Sequence, residues 1–164
     1  METSDWQTRI DAVWADDDAS PNAVIDRIAA LVAELSDDDP RGPFELGGAH
    51  DSAGLEAEAA VLYARAVELG LSGRARAELD IQFASTLRNL GRFDEAVAML
   101  ENGADHPDLG SARAAFLALA LHSAGRPGAA LAVALEALVP TLPRYHRSLR
   151  GYAAEVRASD THEA

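Results

Sequence analysis

Cysteine and lysine are both missing from this chain of 164 residues, and aromatic side chains make up only 5% of it. Without cysteine there can be no disulfide framework, no thiolate zinc site and no thiol catalysis, and a reducing compartment is permitted. The expectation from this is a cytoplasmic protein. No eighteen apolar residues follow one another, so no membrane-spanning helix is expected. The start "METSDWQTRID" has neither the basic opening nor the apolar run of a signal peptide, so export by that route is not expected either. All the basic residues are arginine, and alanine is abundant. That bias fits a GC-rich genome better than a function.

Positive charge is scarce. Fourteen arginines face 27 carboxylates, a formal net charge of -13, which repels phosphate backbones and anionic lipid surfaces at long range. Neither nucleic acid nor a membrane is an expected partner. Residues 1–60 hold fifteen Asp and Glu against three Arg, while residues 61–164 hold twelve against eleven. The acidity therefore belongs to the first third, notably Asp16-Asp17-Asp18 and Asp37-Asp38-Asp39. Three adjacent aspartates lack the alternating spacing and the glycine of a calcium loop, so a solvated helix end or loop is the simpler reading.

Period-two alternation is also lacking. Apolar residues recur at helical spacing nearly throughout, which predicts an all-α chain. Trp6, Ile10, Val13 and Trp14 mark a first helix. Ser20-Pro21 reads as an N-cap and first-turn proline, opening a helix with the apolar face Val24, Ile25, Ile28, Leu31, Val32 and Leu35 that "SDDDP" ends. Further helical signals run over about 42–53, 55–69, 75–90, 92–102, 109–124, 127–139 and 142–158, with Gly or Pro near almost every junction.

An internal repeat organises these segments. "LRNLGRFDEAVAML" (87–100) lies over "LHSAGRPGAALAVA" (121–134), matching Gly91 to Gly125, each followed by Arg. Stepping back from Gly91 leads to Gly54 in "AHDSAGLEAEAAVLY", with the extra residues in the loop "GLSG". The pattern resembles the tetratricopeptide repeat family, whose unit is a helix-turn-helix of about 34 residues. Its small residue at position eight is Gly47, Ala84 and Ala118, preceded by Leu46, Phe83 and Leu117. The turn glycines are Gly54, Gly91 and Gly125, and the alanines of position twenty are Ala59, Ala96 and Ala130. Position twenty-four is Tyr63, Leu100 and Ala134, and position twenty-seven is Ala66, Gly103 and Ala137. The family's tryptophan at position four is replaced by Pro43, Asp80 and Ala114, and its tyrosine at position eleven by His50, Leu87 and Leu121.

The resemblance implies one domain over 1–164, a helical-repeat array of about nine helices. It would comprise an acidic N-terminal helical pair (1–39), three repeats (40–140), and a C-terminal capping helix and tail (141–164). In the last helix Tyr145, Leu149, Tyr152 and Val156 form one stripe, with Arg144, Arg147, Arg150 and Arg157 around it. Those arginines serve either as a soluble face or as a basic patch for an acidic partner or for the chain's own acidic third.

In this family the first helices of the repeats line a concave face, and the resemblance implies which side chains stand there. Position five gives Phe44, Ile81 and Ala115, and position six gives Glu45, Gln82 and Phe116. Position nine gives Gly48, Ser85 and Leu119, position twelve Asp51, Arg88 and His122, and position thirteen Ser52, Asn89 and Ser123. Mixed polar and apolar groups of this kind suit an extended peptide, with Asp51, Ser52, Gln82, Ser85, Arg88, Asn89, Phe116 and His122 as candidate contacts. Arg88 could hold a carboxylate by two parallel hydrogen bonds, or pair internally with Asp51. Asn89 could bind a peptide backbone or cap its own helix, and His50 belongs inside its hairpin.

The implied function is a non-enzymatic protein-binding module or scaffold without a cofactor. Its partner would be a peptide or protein segment. One alternative is self-assembly, in which the acidic third of one chain meets the arginine-bearing last helix of another as a homo-oligomer. Ser85, His122 and Asp51 contain the residue types of a serine hydrolase, but no nucleophile elbow or glycine-rich oxyanion site accompanies them. His50, Asp51 and His106 lack metal-site spacing, and no phosphate loop or dinucleotide fingerprint occurs.

Overall fold

A computed structural model of the chain describes residues 3–103 and 105–160. Among them are nine α-helices and no strand: α1 (Thr3–Trp14), α2 (Pro21–Val32), α3 (Arg41–Ser52), α4 (Glu56–Glu68), α5 (Gly73–Asn89), α6 (Phe93–Asn102), α7 (Ala112–Ser123), α8 (Pro127–Leu138) and α9 (His146–Ser159). Several ends differ from the sequence expectation. α2 stops at Val32, ahead of the acidic run. α7 begins only at Ala112, because Pro107–Leu109 makes a separate 3-10 turn and Gly110 takes a positive φ of 51°. α9 waits until His146, since Val139–Thr141 is another 3-10 turn and Tyr145 is held at φ 76°. Ser20 does cap α2, its hydroxyl accepting from Ala23 N at 3.3 Å with Pro21 next in line.

The chain divides into two compact units, Met1–Ser72 and Gly73–Ala164. In the first, α1 packs on α2, α2 on α3 and α3 on α4. Trp6, Ile10, Val13, Ile28 and Ala49 form a core to which Val24, Ile25, Leu31, Val32, Leu35 and Leu46 add partly buried faces. Trp6 is fixed at both its surfaces: its indole N–H donates to Leu31 O at 2.8 Å, and the Arg41 guanidinium sits 4.9 Å from its ring centroid. Arg41 is in turn gripped by Asp39, whose carboxyl this hydrogen bond holds below the usual carboxylate range. Trp14, at the end of α1, is partly exposed, and its indole N–H donates to Glu45 Oε2 at 2.9 Å.

The α3–α4 hairpin closes on one tight contact. Tyr63 is completely buried, and a Cβ at Gly47 would stand 2.6 Å from its ring, so only glycine lets the two helices approach this closely. Burial, followed by the Asp51 and Glu45 carboxylates, pushes the Tyr63 phenol well above its ordinary pKa.

In the second unit α5 packs on α6 and α7, α6 on α7, α7 on α8 and α8 on α9. Leu79, Phe83, Leu87, Val97 and Leu100 supply its buried side chains between α5 and α6. At the other end of the unit Asp160 accepts from Gly128 N at 2.8 Å and Ala129 N at 2.6 Å, so the end of α9 caps the start of α8. Gly128 is obligatory there, since a Cβ would collide with the Val156 carbonyl and the Asp160 carboxylate.

The three repeat turns share one geometry. Gly54, Gly91 and Gly125 have φ of 75°, 76° and 74°. Each donates to the carbonyl three residues back (Asp51, Arg88, His122), and the next residue donates to the carbonyl five back (His50, Leu87, Leu121) at 2.9 Å. This is a Schellman cap, which satisfies two orphan carbonyls of the first helix and reverses the chain into the second. The sequence-inferred register therefore places equivalent residues at equivalent points of each hairpin.

Candidate binding faces

On α5, Gln82, Ser85 and Asn89 follow one another at three- and four-residue spacing and so share a face, with Arg88 at its edge. Gln82 and Ser85 are half-buried and Asn89 is exposed. Arg88 Nη2 donates to Asn89 Oδ1 at 3.2 Å. Its Nε is buried and has no hydrogen-bond partner among the described residues. Asn89 thus receives the Arg88 guanidinium on its amide oxygen.

α7 packs directly against α5 and shows Ala115, Leu119 and His122 on its exposed face, with Phe116 half-buried beside them. The second unit therefore brings six of the expected residues onto two neighbouring first helices: Gln82, Ser85, Arg88 and Asn89 on α5, and Phe116 and His122 on α7. Asp51 and Ser52 lie in the first unit, in the last turn of α3. Asp51 is half-buried, and the Ser52 hydroxyl donates to Ala49 O at 2.9 Å. His50 is half-buried with Nδ1 2.8 Å from Leu46 O, a contact within its own helix.

Three expected face residues are corrected. Phe44, Glu45 and Ile81 are buried. Phe44 and Ile81 are large apolar groups that go to the hairpin core, and Glu45 is covered by the Trp14 indole that bonds it. The last-helix stripe is corrected too: Leu149 and Val156 pack, whereas Tyr145 and Tyr152 are exposed. Ala153 of α9, next to Tyr152, is fully buried instead.

For hydrolysis Ser85 would need a base, yet Ser85 and His122 make no hydrogen bond to one another among the described residues. Also among these, no three His, Cys, Asp or Glu side chains gather where a metal ion could be held, and no helix is long and apolar enough to cross a membrane. His106 accepts from Asp108 N at 3.3 Å and caps the short 3-10 turn.

A sequence model of the tetratrico peptide repeat matches residues 40–156, most of the chain and all three hairpins. The chain belongs to the tetratricopeptide repeat family. No curated protein matches it. Domains of this family are typically non-enzymatic modules of protein–protein interaction, and the match extends past the third hairpin into α9. In the repeat register α5 and α7 are the first helices of the second and third hairpins. One feature escaped the sequence reading: α8 leaves Leu131 and Leu138 half exposed although the same register buries Val97 in α6. The signal was present in the apolar sequence "PGAALAVALEAL", which has more apolar surface than one packed face can use.

Proposed function

We propose that this tetratricopeptide repeat protein, acting as one functional domain in the cytoplasm and without catalysis or a cofactor, binds an extended peptide segment of a protein partner. The contacts are Gln82, Ser85, Arg88 and Asn89 of α5 with Phe116 and His122 of α7. Asp51 and Ser52 are the corresponding contacts on the first unit's own α3. The observation that carries this reading is Arg88. Its guanidinium is positioned by Asn89 and has a buried Nε without a hydrogen-bond partner among the described residues. The Nη2 to Asn89 hydrogen bond is exposed, so it is at this end of the guanidinium that a peptide carboxylate would accept charge-assisted hydrogen bonds. Gln82 and Asn89 can donate to and accept from a peptide backbone, and Leu119 and Phe116 offer apolar contact beside them.

The test is a titration of labelled short peptides ending in a free carboxylate, alongside their amidated forms, against wild type and Arg88→Ala. Free acids should bind more tightly. Loss of one charged hydrogen-bonding partner, about 1.5–3 kcal/mol, should weaken them roughly 10- to 100-fold in the variant. Equal affinities for wild type and Arg88→Ala would overturn the reading.

A further inference from the structure

α7 packs on both helices of the hairpin before it, α5 and α6, whereas α9 packs on α8 and the 3-10 turn that follows it. The difference shows on α8. Gly128, Ala132 and Leu135 share one face of that helix by their spacing, and this face meets α9, since Gly128 lies against Val156 and Asp160. Ala132 is accordingly buried. The 34-residue register makes Leu131 and Ala134 of α8 the counterparts of Val97 and Leu100 of α6. Val97 and Leu100 are buried where α6 meets its neighbours. Leu131 and Ala134 are exposed, because α9 sits about 100° further round the helix than they do.

α8 is left with an apolar stripe of Pro127, Leu131, Ala134 and Leu138 at the positions where α6 is covered. Tyr152 of α9 widens it. On the far side of the α8–α9 pair Arg157 Nη2 donates to Glu136 Oε2 at 2.8 Å. At about 100° per residue Leu131 and Leu138 stand roughly 150° from Glu136, and Tyr152 about 140° from Arg157, so the three share the open side. They are 49%, 48% and 60% exposed. Because the helices run antiparallel from the Gly128 contact, Tyr152 is level with Ala134.

Charge does not choose the occupant of this face. The one charged residue of α8, Glu136, is on the other side, and Glu155 is the carboxylate that borders Tyr152. The pattern of the stripe does choose, because Leu131 and Leu138 flank its middle evenly and a small residue, Ala134, stands between them. Turned end for end, the stripe fits itself. We propose that two copies of the chain pair α8 against α8 in an antiparallel, two-fold dimer. Leu131 of each copy meets Leu138 of the other, Ala134 lets the helices approach, and Tyr152 meets its counterpart near the axis. Glu155 then faces the neighbourhood of Ser148 in the second copy rather than the other Glu155. The stripe and Tyr152 cover on the order of 1,000 Å² over two copies, at the low end for a specific interface, so the dimer forms with rising concentration. It does not use the peptide faces on α5 and α7.

The experiment exploits the absence of cysteine. Ala134→Cys, beside the two-fold, should form a disulfide-linked dimer under mild oxidation. Pro127→Cys, about 20 Å from its counterpart in the antiparallel arrangement, should not. Sedimentation equilibrium of the unaltered chain should give a mass that rises with concentration from one chain to two and no further. High salt should leave it in place, since no charge pair holds it. Leu131→Gln with Leu138→Gln, at two exposed helical positions, should keep its helical circular dichroism and stay monomeric. A wild type that is monomeric throughout, or one that dissociates in high salt, would overturn the proposal. So would cross-linking of both cysteine variants or of neither, or association that survives the two glutamines.

Discussion

The α3–α4 hairpin and the α7–α8 hairpin are built on the same repeat and finished differently. Both turn through a glycine near φ 75° with the same pair of capping hydrogen bonds. In the first, position twenty-four is Tyr63, completely buried against Gly47. In the second it is Ala134, exposed between two half-exposed leucines. The turn and register thus fix how the chain folds back, while the burial of the residue at position twenty-four differs between the two hairpins. A filled hairpin spends its apolar surface on stability.

The largest effect should come from emptying the filled hairpin. Tyr63→Ala leaves a cavity beside Gly47 and should cost about 3–5 kcal/mol, read by urea unfolding. Its counterpart Ala134→Leu sits on an exposed stripe and should change stability by no more than about 0.5 kcal/mol. A comparable loss from both would break the comparison. Next in size, an alanine at Gly54, Gly91 or Gly125 must adopt a left-handed backbone and should cost about 1–2 kcal/mol at each turn. Near-equal values in the three are the sharper expectation, because their geometry is the same.

Asp160→Ala removes two hydrogen bonds from the start of α8 and should cost about 1 kcal/mol, with faster amide exchange at Gly128 and Ala129. The smallest effect is one of pH. The Tyr63 phenol is held above its ordinary value, so the stability gained from its neutral form is complete below about pH 10 and falls away as pH rises beyond it. Tyr63→Phe keeps the ring on Gly47 and should remove that part of the alkaline slope in thermal melts.

Much of the fold was legible because its determinants are local. The 34-residue spacing of Gly91 and Gly125 places the turns, and helical periodicity places α1 to α9 to within a few residues. Helix ends were less legible where a 3-10 turn intervenes, as before α7 and α9, since the same apolar residues suit either geometry. Burial at the binding faces depends on packing that periodicity does not carry. Glu45 reads as a surface carboxylate until Trp14, 31 residues earlier, is found to cover it. Tyr152 reads as one member of the last helix's stripe, yet it is exposed and Ala153 beside it is the buried residue. Arg88 and Asn89 were placed by register alone, and the unsatisfied Nε is visible only once the side chains are assembled.

The central claim is that the exposed faces of α5 and α7 bind a peptide. It is tested most directly by amide chemical-shift mapping of the full chain as free-carboxylate peptides are added. The account predicts that shifts concentrate at Gln82, Ser85, Arg88 and Asn89 and at Phe116, Leu119 and His122. Shifts confined to α4, α6 and α8, the second helices of the hairpins, would contradict it.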